Sequence, residues 1–162
     1  MNKHILIDLK KCKKQKKYIL DIDEEKVKLL SYICRVTGAK VVLSSSWRSD
    51  WKNGKENLKL KPSILLQELF DKYDIDIIGI TPQIPRSNDI DEKYHSWREN
   101  EIKDYLSKHR EIESFCVIDD EEFDLQTLKD YLVKTKFRDV KNNMGGLNEG
   151  HVKQAIKILK KL

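Results

Sequence analysis

Residues 39–48 read Ala-Lys-Val-Val-Leu-Ser-Ser-Ser-Trp-Arg. Lys40 to Leu43 is expected to be a short buried strand, because β-branched and leucine residues crowd together behind the helix stop at Gly38. Three hydroxyls, Ser44, Ser45 and Ser46, then follow its carboxyl end. Ligands of open α/β sheets bind in the crevice outside the carboxyl ends of the strands, so small hydroxyls there are placed to hold an anionic group. Arg48, a few residues on, offers a planar fork of donors for the same anion. Serine runs after strands also serve as plain turn chemistry, since Ser hydrogen-bonds its own backbone. The rest of the chain decides between the two.

Upstream, Ile5 to Asp8, preceded by His4, is an apolar run ending in an acid and is expected to form the first strand. A lysine-rich loop follows, and Tyr18 to Leu20 has the composition of a brief extended segment. Asp23 is placed as the N-cap of a helix from Glu24 to about Val36, with acids in its first turn and Val27, Leu30 and Cys34 on one face. Downstream, residues 49–61 are polar, with a turn at Asn53-Gly54. Pro62 opens a helix that runs to about Tyr73, and Ile75 to Ile80 is the next strand. Residues 83–96 are expected to be an irregular loop constrained by proline, and Trp97 to His109 a third helix. Phe115-Cys116-Val117-Ile118 is the clearest buried strand. Leu125 to Leu132 is then expected to be a short helix, Val133 to Thr135 a last strand, and Asn148 the cap of a final helix. Strands alternating with helices mean a doubly wound, mainly parallel α/β sheet.

At 162 residues without a Pro-, Gly- or Ser-rich linker, the chain is expected to be one domain, 1–162. Its hydrophobic fraction of 39% is low and its charged fraction of 36% high, yet the apolar clusters recur regularly, which excludes a disordered reading. The formal net charge of +5 is modest but uneven. Lys10, Lys11, Lys13, Lys14, Lys16 and Lys17 form a block suited to a phosphate backbone, or to nothing more than a solvated loop. Cys12, Cys34 and Cys116 have no paired spacing, so neither a disulfide framework nor a zinc site is indicated. With no run approaching a membrane span and no signal-peptide core, a cytoplasmic protein without membrane attachment is expected.

The strand at 115–118 ends in Asp119-Asp120. Adjacent carboxylates there are costly unless a cation neutralises them, and hard oxygen ligands suit Mg²⁺. Acids at the start of the following helix, Asp124 included, would be favoured by its dipole and explain the same residues without metal. Arg98, opening the third helix, could offset the acids and hold a transferred phosphate. Trp47, Trp51 and Trp97 are expected to be packing residues more than base-stacking ones.

Taken in order, Thr-Gly-Ala-Lys-Val-Val-Leu-Ser-Ser-Ser-Trp-Arg at 37–48, Ile-Gly-Ile-Thr-Pro at 78–82, Arg98 with Glu101-Ile102 and Tyr105-Leu106, Val117-Ile118-Asp119-Asp120, and Gly146-Leu147 carry a resemblance. The set resembles the small haloacid-dehalogenase (HAD) superfamily domain found alone and in Swiss-army-knife RNA repair proteins, over about residues 20–162. The resemblance implies a Rossmannoid three-layer α/β/α fold and a Mg²⁺-dependent phosphohydrolase acting through an aspartyl-phosphate. Its substrate would be a phosphate monoester, either a phosphorylated small molecule or a nucleic-acid end. Ser44, or else Ser45, would hold the phosphoryl group and Arg98 would stabilise it, with Arg48 added as a phosphate-binding candidate on its position alone. Asp119 and Asp120, with Asp8, would hold the metal.

The opening departs from the family pattern of an apolar strand ending Asp-x-Asp-Gly, in which the first Asp is the nucleophile. Asp8 follows Ile5-Leu6-Ile7, but Lys10 and Lys11 stand where the second Asp and the Gly belong. Asp21-Ile22-Asp23 has the right spelling but lies too close to Ser44, with a full helix between, and is assigned to the helix start. Asp8 is therefore the nucleophile candidate. The alternative to an active phosphatase is a silent HAD-fold module, a pseudoenzyme that binds phosphorylated ends or a protein partner.

Overall fold

The computed structural model describes residues 2–7, 22–85, 97–121, 127–139 and 142–161. Its elements are β1 (Lys3–Ile7), α1 (Glu24–Thr37), β2 (Lys40–Leu43), α2 (Lys61–Lys72), β3 (Ile77–Ile80), α3 (Trp97–Lys108), β4 (Ser114–Asp119), β5 (Leu132–Lys134), β6 (Lys136–Asp139), β7 (Met144–Gly146) and α4 (Glu149–Lys160). The main sheet has the order β3-β2-β1-β4-β5, with every neighbouring pair parallel. The expected α/β architecture is thus observed, with β1 at the centre of the sheet.

Strand alternation explains the three layers. Ile5, Ile7, Val41, Leu43, Cys116 and Ile118 face one side and pack with Val27, Leu30 and Ile33 of α1, Leu66 and Phe70 of α2, and Ala155 and Leu159 of α4. The intervening Leu6, Val42 and Val117 face the other side and pack with Ile102 and Tyr105 of α3. Each such side chain taken fully out of water contributes about 1.5–3 kcal/mol. The helix ends follow local chemistry. The Asp23 carboxylate accepts from the Glu25 N–H, Gly38 closes α1 at φ 72°, and Asn148 with His151 forms a capping box on α4.

Some expectations shift. Ile75 is buried but precedes β3, because the chain first leaves α2 through Asp74 in the left-handed region at φ 54°. The polar stretch expected at 49–61 is entered through a 3-10 helix over 46–53, capped by the Ser45 side chain and held by Trp51, whose Nε1–H donates to Gln67 Oε1 at 2.9 Å. The helix expected to reach Leu132 is not seen there. Lys129–Tyr131 is a single 3-10 turn, and Leu132 opens β5, where buried Val133 pairs with Ile118. Parallel pairing against a buried strand outweighs helix propensity at these positions. The β6–β7 hairpin was not expected. Tyr18–Leu20, the lysine block, Cys12 and Asp124 lie outside the described residues.

Gly79 shows how closely α3 sits on the sheet. A Cβ at this position would lie 2.7 Å from the Tyr105 hydroxyl oxygen, which the aromatic ring carries rigidly. Gly79→Ala is expected to cost about 1–3 kcal/mol in chemical denaturation. Tyr105→Phe, which removes the colliding oxygen, is expected to restore most of that loss in the double variant.

Candidate phosphoryl-binding site

The register of the three central strands creates the site. Ile7 of β1 lies opposite Leu43 of β2 and Ile118 of β4, so the next residues, Ser44 and Asp119, flank the carboxyl end of β1. The Ser44 N–H donates to Ile7 O at 3.0 Å, and the Thr81 N–H to Leu43 O at 2.9 Å. These bonds extend the sheet's pairing by one residue and fix both hydroxyl side chains at the edge of the crevice. Asp8 follows Ile7 in the chain and lies outside the described residues.

Ser44 is buried, and its Oγ accepts from Thr81 Oγ1 at 3.2 Å and faces Arg98 Nη1 at 3.5 Å. Arg98 stands in the first turn of α3. Its Nε lies 3.7 Å from Asp119 Oδ2, and its Nη1 lies 4.0 Å from Glu101 Oε2. Asp119, the last residue of β4, is 1% exposed, and its Oδ1 accepts from the Glu121 N–H at 2.9 Å. The structure therefore brings Ser44, Arg98 and Asp119 together.

The other candidates are placed differently. Ser45 is fully buried and its side chain caps the 3-10 helix, accepting from the Trp47 N–H at 3.1 Å. Arg48, read from the sequence as a grip on a bound anion, turns its fork inward. Nε donates to Thr81 O at 2.9 Å, Nη1 to Ser44 O at 3.2 Å and Ser45 O at 2.8 Å, and Nη2 to Pro82 O at 3.1 Å. Nη2 also pairs with Glu101 Oε2 at 2.7 Å. Its geometry is that of a tie between the ends of β2 and β3. Asp119 and Asp120 part company where β4 ends, Asp119 closing the strand and Asp120 opening the bend that follows. Asp119 meets Arg98 on the α3 side, whereas Asp120 lines a pocket of about 150 Å³ with Ile118, Asp23, Trp47 and Phe137.

Two residues of the cluster were not singled out as site residues from the sequence. Thr81 repeats, after β3, the pattern of a hydroxyl following an apolar strand that marked Ser44. Glu101, one helical turn beyond Arg98, had the i, i+3 spacing as its signal. Thiol chemistry has little support among the described residues, since burial pushes the Cys34 thiol up to about 11 and the Cys116 thiol upward as well.

Among the described residues no helix is long and apolar enough to cross a membrane. A family model described as "HAD domain in Swiss Army Knife RNA repair proteins" matches residues 4–140, a span that contains the whole cluster. No curated protein and no solved structure matches the chain.

Proposed function

The chain belongs to the HAD domain family of Swiss Army Knife RNA repair proteins, and from that premise we propose that it is a Mg²⁺-dependent phosphohydrolase acting on a phosphate monoester, most suitably a phosphorylated nucleic-acid end. The observation that carries this reading is the convergence of Ser44, Arg98 and Asp119 around the carboxyl end of β1, the strand that Asp8 follows. In this reading Asp8 is the nucleophile: its carboxylate takes the phosphoryl group as an aspartyl-phosphate while the ester P–O bond breaks and the alcohol leaves, and water then releases inorganic phosphate and restores the carboxylate. Ser44 donates its hydroxyl hydrogen to a phosphoryl oxygen, and Arg98 offsets the charge that develops there.

The donor set fits magnesium. Arg48 and Arg98 are balanced by Glu101 and Asp119, so the four groups carry no surplus charge for a phosphoryl dianion arriving beside a carboxylate. Mg²⁺ takes one or two carboxylates and completes its shell with water and phosphate oxygens. Asp119, with Asp8 and with Asp120 as the further candidate, would hold it, and the ion would supply charge neutralisation at the phosphoryl oxygens. Among the described residues no group of three or more His, Cys, Asp or Glu side chains could form an all-protein cage.

Phosphate release from 5′- and 3′-phosphorylated oligonucleotides and from an aryl phosphate tests the proposal. Release is expected with Mg²⁺ and is expected to vanish on chelation and return on re-addition. A metal-independent rate would overturn it. One observation favours a second reading. Lys10 and Lys11 occupy the places of the family's second Asp and its Gly, so the general acid and base is replaced or lost. A silent module would bind the phosphorylated oligonucleotides without releasing phosphate.

A further inference from the structure

Glu101 stands between the two arginines behind the phosphoryl-binding cluster. Its Oε2 pairs with Arg48 Nη2 at 2.7 Å and faces Arg98 Nη1 at 4.0 Å, while its Oε1 accepts from the Ile84 N–H at 3.3 Å. Its side chain is 11% exposed, beside an Arg48 side chain that is 4% exposed. Arg48 is in turn fixed to carbonyls at the ends of β2 and β3. The carboxylate is thus held to the sheet by a rigid fork on one side and faces a second guanidinium on the other.

Arg98 has three neighbours that define its place: Ser44 Oγ at 3.5 Å, Asp119 Oδ2 at 3.7 Å and Glu101 Oε2 at 4.0 Å. Two of them are the proposed phosphoryl-binding hydroxyl and the proposed metal carboxylate. Glu101 alone of the three has no part in the chemistry, and its carboxylate gives the guanidinium a second anion besides Asp119. We propose that Glu101 is a positioning residue that holds the Arg98 guanidinium at the phosphoryl site and keeps it from closing on Asp119. Among the described residues, Asp119 is the other carboxylate within ion-pair reach of Arg98. A closed Arg98–Asp119 pair would withdraw both the cation from the phosphoryl group and the carboxylate from the metal.

The inference rests on the phosphohydrolase reading and has its own test. Inorganic phosphate binding in the presence of Mg²⁺, measured by calorimetry, and steady-state kinetics on the aryl phosphate are compared for wild type, Glu101→Gln, Arg98→Met and the double variant. Glu101→Gln is expected to weaken phosphate binding about tenfold and to lower kcat by a further factor of about ten. Raised Mg²⁺ is expected to recover part of the loss. In the double variant the two changes are not additive, and the affinity and kcat match those of Arg98→Met alone. A purely structural Glu101 would give additive losses, which overturns the proposal, as does a Glu101→Gln variant that binds and turns over like wild type. Glu101→Asp, with the charge withdrawn by one methylene, takes the same place in the cycle should Glu101→Gln not fold. A wild-type protein that neither binds nor releases phosphate overturns the phosphohydrolase reading and this inference together.

Discussion

Arg48→Met is expected to lower the free energy of unfolding by about 3–5 kcal/mol, the range for removing one partner of a buried ion pair. That is a large fraction of the 5–15 kcal/mol that a domain commonly has in hand. The arginine is 3% exposed and reaches four backbone carbonyls and one carboxylate. Those carbonyls belong to Ser44, Ser45, Thr81 and Pro82, where β2 and β3 have run out of sheet partners, so each has reason to find a donor elsewhere. Methionine fills much of the volume and supplies none of the donors. It also leaves Glu101 facing Arg98 alone. Arg48→Lys is expected to recover less than half of the loss, because a single ammonium cannot serve three directions that a planar fork serves at once. Equilibrium urea unfolding measures each variant. Arg48→Met combined with Glu101→Gln is expected to be more stable than Arg48→Met alone, since the second change removes the charge that the first one stranded. A double variant that is less stable than the single one would mean that the pair is not what makes Arg48 costly to lose.

This tie is also where reading the sequence reached its limit. The strand Lys40–Leu43, the helix Glu24–Thr37 with its Asp23 cap and Gly38 stop, and the buried strand ending at Asp119 were all legible, because their signals lie within a few residues of one another. Ser44, Arg98 and Asp119 were legible as residue types at strand and helix ends. The direction in which Arg48 points was not. It depends on the 3-10 helix Ser46–Asn53, which folds the guanidinium back under carbonyls as far away as Thr81 and Pro82. The parting of Asp119 and Asp120 was within reach in part, since the alternation of Val117 and Asp119 against Ile118 assigns Asp119 a face, whereas Asp120 falls in the bend after the strand. The β6–β7 hairpin left no trace in the pattern. Its strands are three and four residues long, Phe137 and Met144 are exposed, and Gly145 and Gly146 adopt positive φ.

Asp8→Asn and Asp119→Asn are both expected to reduce Mg²⁺-dependent phosphate release by about 10³-fold or more, and they should fail in different ways. An interaction that stabilises the transferring phosphoryl group by several kcal/mol corresponds to a change of that size. At position 119 asparagine is nearly isosteric, and its amide oxygen can still accept from the Glu121 N–H that Asp119 now binds at 2.9 Å. The fold is therefore expected to persist, with the charge beside Arg98 removed. Metal affinity falls, and because a weakened site can be refilled by mass action, raised Mg²⁺ is expected to restore part of the rate. At position 8 the loss is of the nucleophile itself, which no concentration of metal replaces, so the Asp8→Asn rate is expected to stay at background throughout the titration. Rates for both variants across a Mg²⁺ series, beside wild type, separate the two roles. Equal recovery in both would remove the nucleophile assignment from Asp8 and leave it as a metal carboxylate. A wild type no faster than either variant would mean that Lys10 and Lys11 stand where the chemistry was lost. Ser44 and Arg98 would then be the remains of a phosphatase that now recognises phosphorylated ends by binding them.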